Sequence, residues 1–187
     1  MGSPQKEGDL IEDFVIRRAR VSDTPEIFRI VQDLQARGII STTDTFKMYR
    51  QSIKRSKLFL VLESQGKVVA FLKGSFKREI PFLHDLRLLI SRHHRGNFYY
   101  LFQICVDPIE RRKGYGRALN EYLFQHLPPD CPVFLSIDNK NYPSITFHQS
   151  IGYRFVELFQ PPTRKEPALK ILYVNDASRF RAFVQSK

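Results

Sequence analysis

The sequence predicts an α/β (α+β) domain in which helices pack on one central sheet. Three observations carry that expectation. Phe98 to Val106 (FYYLFQICV) is near-continuously apolar, as a strand buried on both faces is. A basic loop, Arg111-Arg112-Lys113-Gly114-Tyr115-Gly116-Arg117-Ala118, follows it, and Ala118, Leu119, Tyr122, Leu123 and Leu127 then recur at helical spacing. Elsewhere, short apolar runs alternate with cap and turn signals, giving the order β-α-α-β-β-β-α-β-α-β-β.

In chain order, Phe14 to Val21 (FVIRRARV) reads as the first strand. Ser22-Asp23-Thr24-Pro25-Glu26 opens a helix with Asp23 as cap and Glu26 three residues on. Ile27, Ile30, Val31 and Leu34 form its apolar stripe, and Gly38 ends it. Ser41-x-x-Asp44 caps a second helix that carries Phe46, Tyr49 and Ile53. Leu58 to Glu63 and Val68 to Phe76 are strands joined by a turn at Gln65-Gly66. The buried strand, the basic loop and its helix come next. A strand at Val133 to Ile137, a helix from Pro143 to Ile151, and strands at Tyr153 to Phe159 and Leu169 to Val174 complete the domain. The Pro-rich stretch Gln160 to Pro167 is a loop, and there are no internal repeats.

With 187 residues, 42% of them hydrophobic, the chain is one domain with a substantial core. Its formal net charge of +11 calls for anionic partners. The cations are scattered and form no long Lys/Arg run, which weighs against nucleic acid as the main partner. Cys105 and Cys131 sit inside apolar runs, as buried reduced thiols do, and this suits a cytoplasmic protein. No apolar run reaches membrane-spanning length, the opening MGSPQKEGDL lacks a signal-peptide core, and Lys6 breaks the myristoylation pattern that Gly2 invites. The expected organisation is a flexible tail over 1–11, one domain over 12–175 and an extension over 176–187, as a monomer or homodimer without a membrane anchor.

The glycine loop is a cradle for phosphate or pyrophosphate. Its glycines let the backbone turn N–H groups inward, the helix start adds partial positive charge, and the arginines add whole charges. Three phosphate loops compete. The P-loop pattern Gly-x-x-x-x-Gly-Lys-Ser/Thr is absent. The dinucleotide pattern Gly-x-Gly-x-x-Gly/Ala accepts Gly114 and Gly116, with Asp138 at a suggestive distance. It fails at Leu119, and the seven residues Asp107 to Lys113 separate the strand from Gly114. The third pattern, Arg/Gln-x-x-Gly-x-Gly/Ala, is matched by Arg111, Gly114 and Gly116 after Val106-Asp107-Pro108. It resembles the acetyl-CoA loop of the GCN5-related N-acetyltransferase (GNAT) superfamily. Ile16-Arg17-Arg18-Ala19 with Asp23-x-x-Glu26-Ile27 looks like that family's opening passage. Asn141-x-x-Ser144-x-x-Phe147-His148-x-x-x-Gly152-Tyr153 is similar to its last helix signature.

The resemblance implies a mixed, mostly antiparallel twisted sheet of about seven strands, flanked by about four helices and splayed between the fourth and fifth strands. It also implies direct transfer of an acetyl group from acetyl-CoA to an amine. Backbone N–H groups of Arg112, Lys113, Gly114, Tyr115, Gly116 and Arg117 would hold the pyrophosphate, with Arg111, Arg112 and Lys113 screening its charge. Main-chain groups of Ile104, Cys105 and Val106 would pair with the pantetheine arm, and one N–H would polarise the thioester carbonyl. Asn141 would reach the pantetheine and is equally a helix N-cap. His148 stands where the family most often has a tyrosine and is the candidate donor of a proton to the departing thiolate.

Two departures from the family pattern matter. The fourth strand carries no acid to serve as base: Tyr99, Tyr100 and Gln103 are its polar side chains before Asp107, itself read as a turn residue. His84, His93, His94, Asp85 or solvent remain as substitutes. The second departure is a basic insertion over 77–97, where Leu83, Leu86 and Ile90 can seat a short helix. It is expected to cover the entrance for a neutral or acidic acceptor, small molecule or protein, with His84, Arg87 and Tyr100 as candidate contacts. Its histidines lack metal-ligand spacing, so no metal is expected. The rival readings are a non-catalytic acyl-CoA-binding module and an RNA- or ribosome-associated basic protein on the same scaffold.

Overall fold

Gln65 and Gly66 both take positive φ, 51° and 74°. Such a two-residue turn matches the right-handed twist of flanking strands, so β2 (Leu60–Ser64) and β3 (Lys67–Phe76) close as a tight hairpin. The computed structural model describes residues 14–77, 84–161 and 169–180. It adds β1 (Phe14–Arg18), β4 (Tyr99–Val106), β5 (Val133–Asp138), β6 (Arg154–Phe159) and β7 (Lys170–Asn175) in one seven-stranded sheet, ordered β1-β2-β3-β4-β5-β7-β6. Every neighbouring pair is antiparallel except β4 with β5.

Two irregularities in β4 position the site. Gly74 pairs with Leu101 and Lys73 with Gln103, which leaves Phe102 as an extra residue. This bulge reverses the face that later side chains address. Tyr99 and Leu101 join the core beneath α4 (Tyr115–His126), and beyond the bulge Ile104 and Val106 join that same core. Cys105 turns instead to the core beneath α1 (Thr24–Ala36) and α2 (Phe46–Arg55). Secondly, β5 accompanies β4 only over Tyr99–Leu101 and Val133–Leu135. It then departs with β7, which pairs with it from Val133 to Asp138. The expected splay is therefore present, and it leaves the β5-facing edge of β4 open from Phe102 onward.

The four expected helices are α1, α2, α4 and α5 (Tyr142–Ser150); the insertion adds α3 (His84–Ser91). Its Leu89 and Ile90 seat on Phe98, Tyr100, Phe134 and Leu172. The caps differ from expectation. The Asp23 carboxylate makes no cap bond to α1; it takes the Arg17 guanidinium at 2.8 and 3.0 Å and the Arg20 N–H at 2.6 Å. Glu26 accepts from the Val68 N–H at 2.9 Å, stapling α1 to β3. The α2 cap is Thr45, which accepts from the Met48 N–H, while Asp44 is drawn to Lys73. The tail expected over 1–11, the middle of the insertion (Arg78, Glu79 and Leu83 included), most of the Pro-rich loop and the end of the extension lie outside the described residues. Among the described residues, no helix is long and apolar enough to cross a membrane.

Candidate active site

Asp107 closes β4 and starts the loop. It is buried, accepts from the Ile109 N–H at 3.2 Å and from Arg29 at 2.7 Å, and so is the turn residue the sequence suggested. Arg112 and Gly114 then adopt left-handed φ of 70° and 81°. Two such residues within three reverse the chain in the manner that turns successive N–H groups toward one point, a backbone nest for an anion. α4 begins at once, adding its unpaired N–H groups. The space beside Gly114 is open, so its glycine is demanded by φ and not by crowding. At Gly116 the demand is spatial: an added Cβ would lie 3.0 Å from Cζ of Phe147, because α4 meets α5 closely there.

The side chains of this loop divide. Arg111 lines the cavity in the sheet fork and Arg112 is exposed. Lys113 pairs with Glu110 at 3.0 Å and Arg117 with Glu121 at 3.1 Å, so much of their charge is answered locally. Tyr115 is buried, edge-on to Phe14 at 5.6 Å.

The cavity measures about 750 Å³. Leu101 to Cys105 of β4 and Leu135 to Asp138 of β5 form its forked floor; Asn141, Ser144 and His148 of α5 form one wall, and Gly38 to Ser41 form another. Asn141 caps α5, accepting from the Ser144 N–H at 3.2 Å while lining the cavity, so both of its expected positions coincide. Cys105 lines the floor; burial pushes its thiol up to about 12, against the opposing charges of Arg111 and Lys73, and it is no nucleophile. Tyr100 lies below the point where the strands part, its hydroxyl 2.7 Å from Ser136 Oγ. Burial raises that phenol to about 12, against the Ser136 hydrogen bond, and Ser136 rather than Tyr100 meets the cavity.

His148 is 4% exposed, and its Nδ1 donates to the Ser144 carbonyl at 2.7 Å. Burial lowers its pKa to about 4, partly offset by that bond. Nε2 is buried with no hydrogen-bond partner among the described residues. The ring at neutral pH is therefore an acceptor at Nε2, not the charged proton donor expected from the sequence. A buried acceptor left open on the wall of a cavity is a place a ligand donor fills.

The remaining candidates scatter. His84 opens α3. His93 and Arg92 bind Glu157, both at 2.6 Å, and His94 Nε2 donates to the Asn97 carbonyl at 2.9 Å. Arg87 borders a second cavity that shares no lining residue with the first. Sequence reasoning missed a polar chain behind the fork floor: Tyr49 donates to Gln103 Oε1 at 2.6 Å, Lys73 sits 4.7 Å above the Tyr49 ring, and Asp44 answers Lys73. The signal for it was Lys73 directly after the apolar run Val68 to Leu72 of β3. Among the described residues, no group of three His, Cys, Asp or Glu side chains is placed to hold a metal ion.

A forked sheet whose open strand edge ends at an anion-cradling helix start defines a coenzyme A-dependent acyltransferase. Residues 26–153 match the acetyltransferase (GNAT) family, and the chain belongs to it. It is an acyl-CoA-dependent N-acetyltransferase with acetyl-CoA as co-substrate. L-2,4-diaminobutyric acid acetyltransferase of Nocardia farcinica is 23% identical over 154 residues, 81% of this chain and 70% of the relative. The crystal structure of ribosomal-protein-S18-alanine N-acetyltransferase from Escherichia coli shares the fold with TM-score 0.65 at 22% identity, covering 88% of this chain and 94% of that one. The crystal structure of Arabidopsis thaliana NAA60 in complex with acetyl-CoA gives TM-score 0.67 at 17% identity, covering 88% of this chain and 99% of that one.

Proposed function

We propose that this enzyme acetylates a primary amine, on a neutral or acidic acceptor, that enters the fork beside Gly38 to Ser41. The observation that carries the reading is the continuity of the open β4 edge at Phe102 to Cys105 with the wound loop at Arg112 to Gly114. In this reading the N–H groups of Arg112 to Arg117 hold the pyrophosphate and Arg111 screens it from the cavity side. The main chain of Ile104, Cys105 and Val106 pairs with the pantetheine as another strand would, and one of those N–H groups polarises the thioester carbonyl. Asn141 keeps its oxygen on the Ser144 N–H and turns its amide N–H groups to the pantetheine.

The proton balance needs no acid from the chain. The amine nitrogen forms the new C–N bond, the C–S bond breaks, and the proton that nitrogen loses is the one the thiolate gains. Water in the fork carries it. His148, neutral and open at Nε2, accepts a hydrogen bond from that water or from the thiol and holds it in line. Among the described lining residues, Arg111, Lys140 and Lys170 stand beside one carboxylate, Asp138, which supports acceptors without extra positive charge. The relatives span a small diamino acid and a ribosomal protein's alanine, by their names, and both offer a primary amine. We also place the enzyme in the cytoplasm, because Cys105 and Cys131 are both free and buried.

The test incubates the chain with acetyl-CoA and two acceptor sets, diamino acids and peptides with free or blocked amino termini. Thiol release is followed together with the intact mass of each acceptor. Acceptor-dependent release with a mass gain of one acetyl group is expected. Release no faster with any amine than without one overturns the reading.

A further inference from the structure

The second cavity, about 380 Å³, is lined among the described residues by Lys77, Arg87, Arg95, Gly96 and Asn97, three cations with no acid among them. It belongs to the insertion and stands apart from the fork: roughly 13 Å of extended chain separates Asn97 from Leu101. Its walls are built, not loose. Lys77 Nζ is held by the carbonyls of Arg95 and Gly96, both at 3.3 Å, and lies 5.6 Å from the Phe98 ring centre. The Lys77 N–H bonds the Phe98 carbonyl at 3.0 Å, and His94 ties off the loop through the Asn97 carbonyl. Arg87 is carried by α3, whose Leu89 and Ile90 are anchored in the core.

The telling atom is Arg87 Nε. It is buried and has no hydrogen-bond partner among the described residues. A guanidinium N–H is among the costlier donors to leave unsatisfied, and proteins satisfy nearly all buried donors. Neither Arg87 nor Arg95 has an ion-pair partner among the described residues, whereas Arg92, five residues on from Arg87, is paired with Glu157. Three cations around one orphan donor match a tetrahedral dianion better than a single carboxylate, which would leave two charges unanswered.

We propose that this cavity is a second anion site, separate from the cofactor loop, that binds a phosphate group with Arg87 Nε and the Lys77 and Arg95 charges. This does not rest on the acceptor reading above, since it concerns neither the fork nor the transferred group.

The experiment titrates the full chain, saturated with coenzyme A to occupy the cofactor loop, with inorganic phosphate and separately with glycerol 3-phosphate. Calorimetry and the amide resonances of Gly96 and Asn97 report binding. Saturable binding that shifts both resonances is expected. Arg87→Gln and Arg95→Gln should each weaken it about tenfold or more, as loss of a charge-assisted hydrogen bond does, while the exposed Lys47→Gln should not. Arg87→Lys keeps the charge and loses the fork, so it should fall between wild type and Arg87→Gln. Tighter binding of glycerol 3-phosphate than of inorganic phosphate marks an organic phosphomonoester as the occupant; equal binding marks free phosphate. No saturation by either, or equal weakening by Lys47→Gln, overturns the proposal. So does a glutamate-rich peptide that binds through Arg87 while phosphate does not compete.

Discussion

The Ser144 carbonyl, one helical turn before His148, fixes the tautomer of that ring: with Nδ1 donating to it at 2.7 Å, the buried Nε2 must be the bare nitrogen. Burial then opposes a second proton, which is why the imidazole titrates near 4 in the folded state. The consequence for stability has a definite sign. Above the unfolded value near 6.5 the ring is neutral in both states. Between 6.5 and 4 only the unfolded chain takes up a proton, so stability falls as pH drops, by about 2 kcal/mol at pH 5 and on the order of 3 kcal/mol by pH 4. His148→Phe should remove that part of the slope. Urea unfolding at pH 7.5 and pH 5 checks it: the gap between wild type and variant must narrow on acidification, and parallel behaviour refutes the assignment.

The same bare nitrogen bears on rate. With no acid on β4 and His148 uncharged, the ascending limb of the pH–rate profile should belong to the acceptor and not to the enzyme. An α-amine should give a limb near 8 and a lysine-type amine one above 10. The measurement is kcat/KM against pH for one acceptor of each kind. A shared limb between pH 6 and 7 would reveal an enzyme base.

Gly114 and Gly116 should fail differently. Acetyl-CoA at about 100 times its dissociation constant should stabilise the wild-type fold by roughly 2.7 kcal/mol. Gly114→Val forces a branched residue into φ near 81° and should abolish that gain, because the backbone N–H groups no longer converge. Gly116→Ala meets Phe147 and should lower basal stability as α4 and α5 separate. Lys113→Ala should cost little of the ligand's stabilisation, since Lys113 already pairs with Glu110. Thermal shifts of the three variants, with and without acetyl-CoA, separate these outcomes.

What was legible in the chain was what local spacing encodes. The apolar runs located the strands, Gln65-Gly66 the hairpin, and Arg111 to Gly116 the loop. Asp23 holds the N-cap position without a side-chain cap bond, and Thr45 rather than Ser41-x-x-Asp44 caps α2, because the two carboxylates are claimed from elsewhere, by Arg17 on β1 and by Lys73 on β3. The spacing from Asp23 back to Arg17 carries no pairing signal, and Lys73 lies 29 residues from Asp44. The Phe102 bulge was equally invisible, since it exists only in the register against Gly74 and Lys73. Arg87 was placed near the acceptor by its position in the insertion, yet α3 carries it into a separate cavity. Tyr100 was legible as a polar residue on the right strand, but only the structure shows that Ser136 stands between it and the fork.

Lys73 offers the sharpest check on the polar chain behind the fork floor. Its ammonium is largely buried between the rings of Tyr49 and Phe102, at 4.7 and 5.9 Å, and is answered by Asp44. Breaking such a pair from one side strands the other charge, whereas replacing both members with apolar residues can be neutral. Lys73→Met should therefore destabilise the fold by about 3 kcal/mol, at the low end for buried pairs because the Asp44 side chain keeps 21% exposure. Adding Asp44→Leu should recover most of that loss. The double variant should still acetylate poorly: without the Asp44–Lys73 pair, the Tyr49 ring loses the cation above it, and the Tyr49–Gln103 bond at the bulge loses its support. Chemical denaturation with acetyl-transfer rates on the same three proteins gives both readouts. Recovery of stability and full activity together would show that Lys73 merely fills the core, and that the chain behind the floor does not hold Gln103 for the reaction.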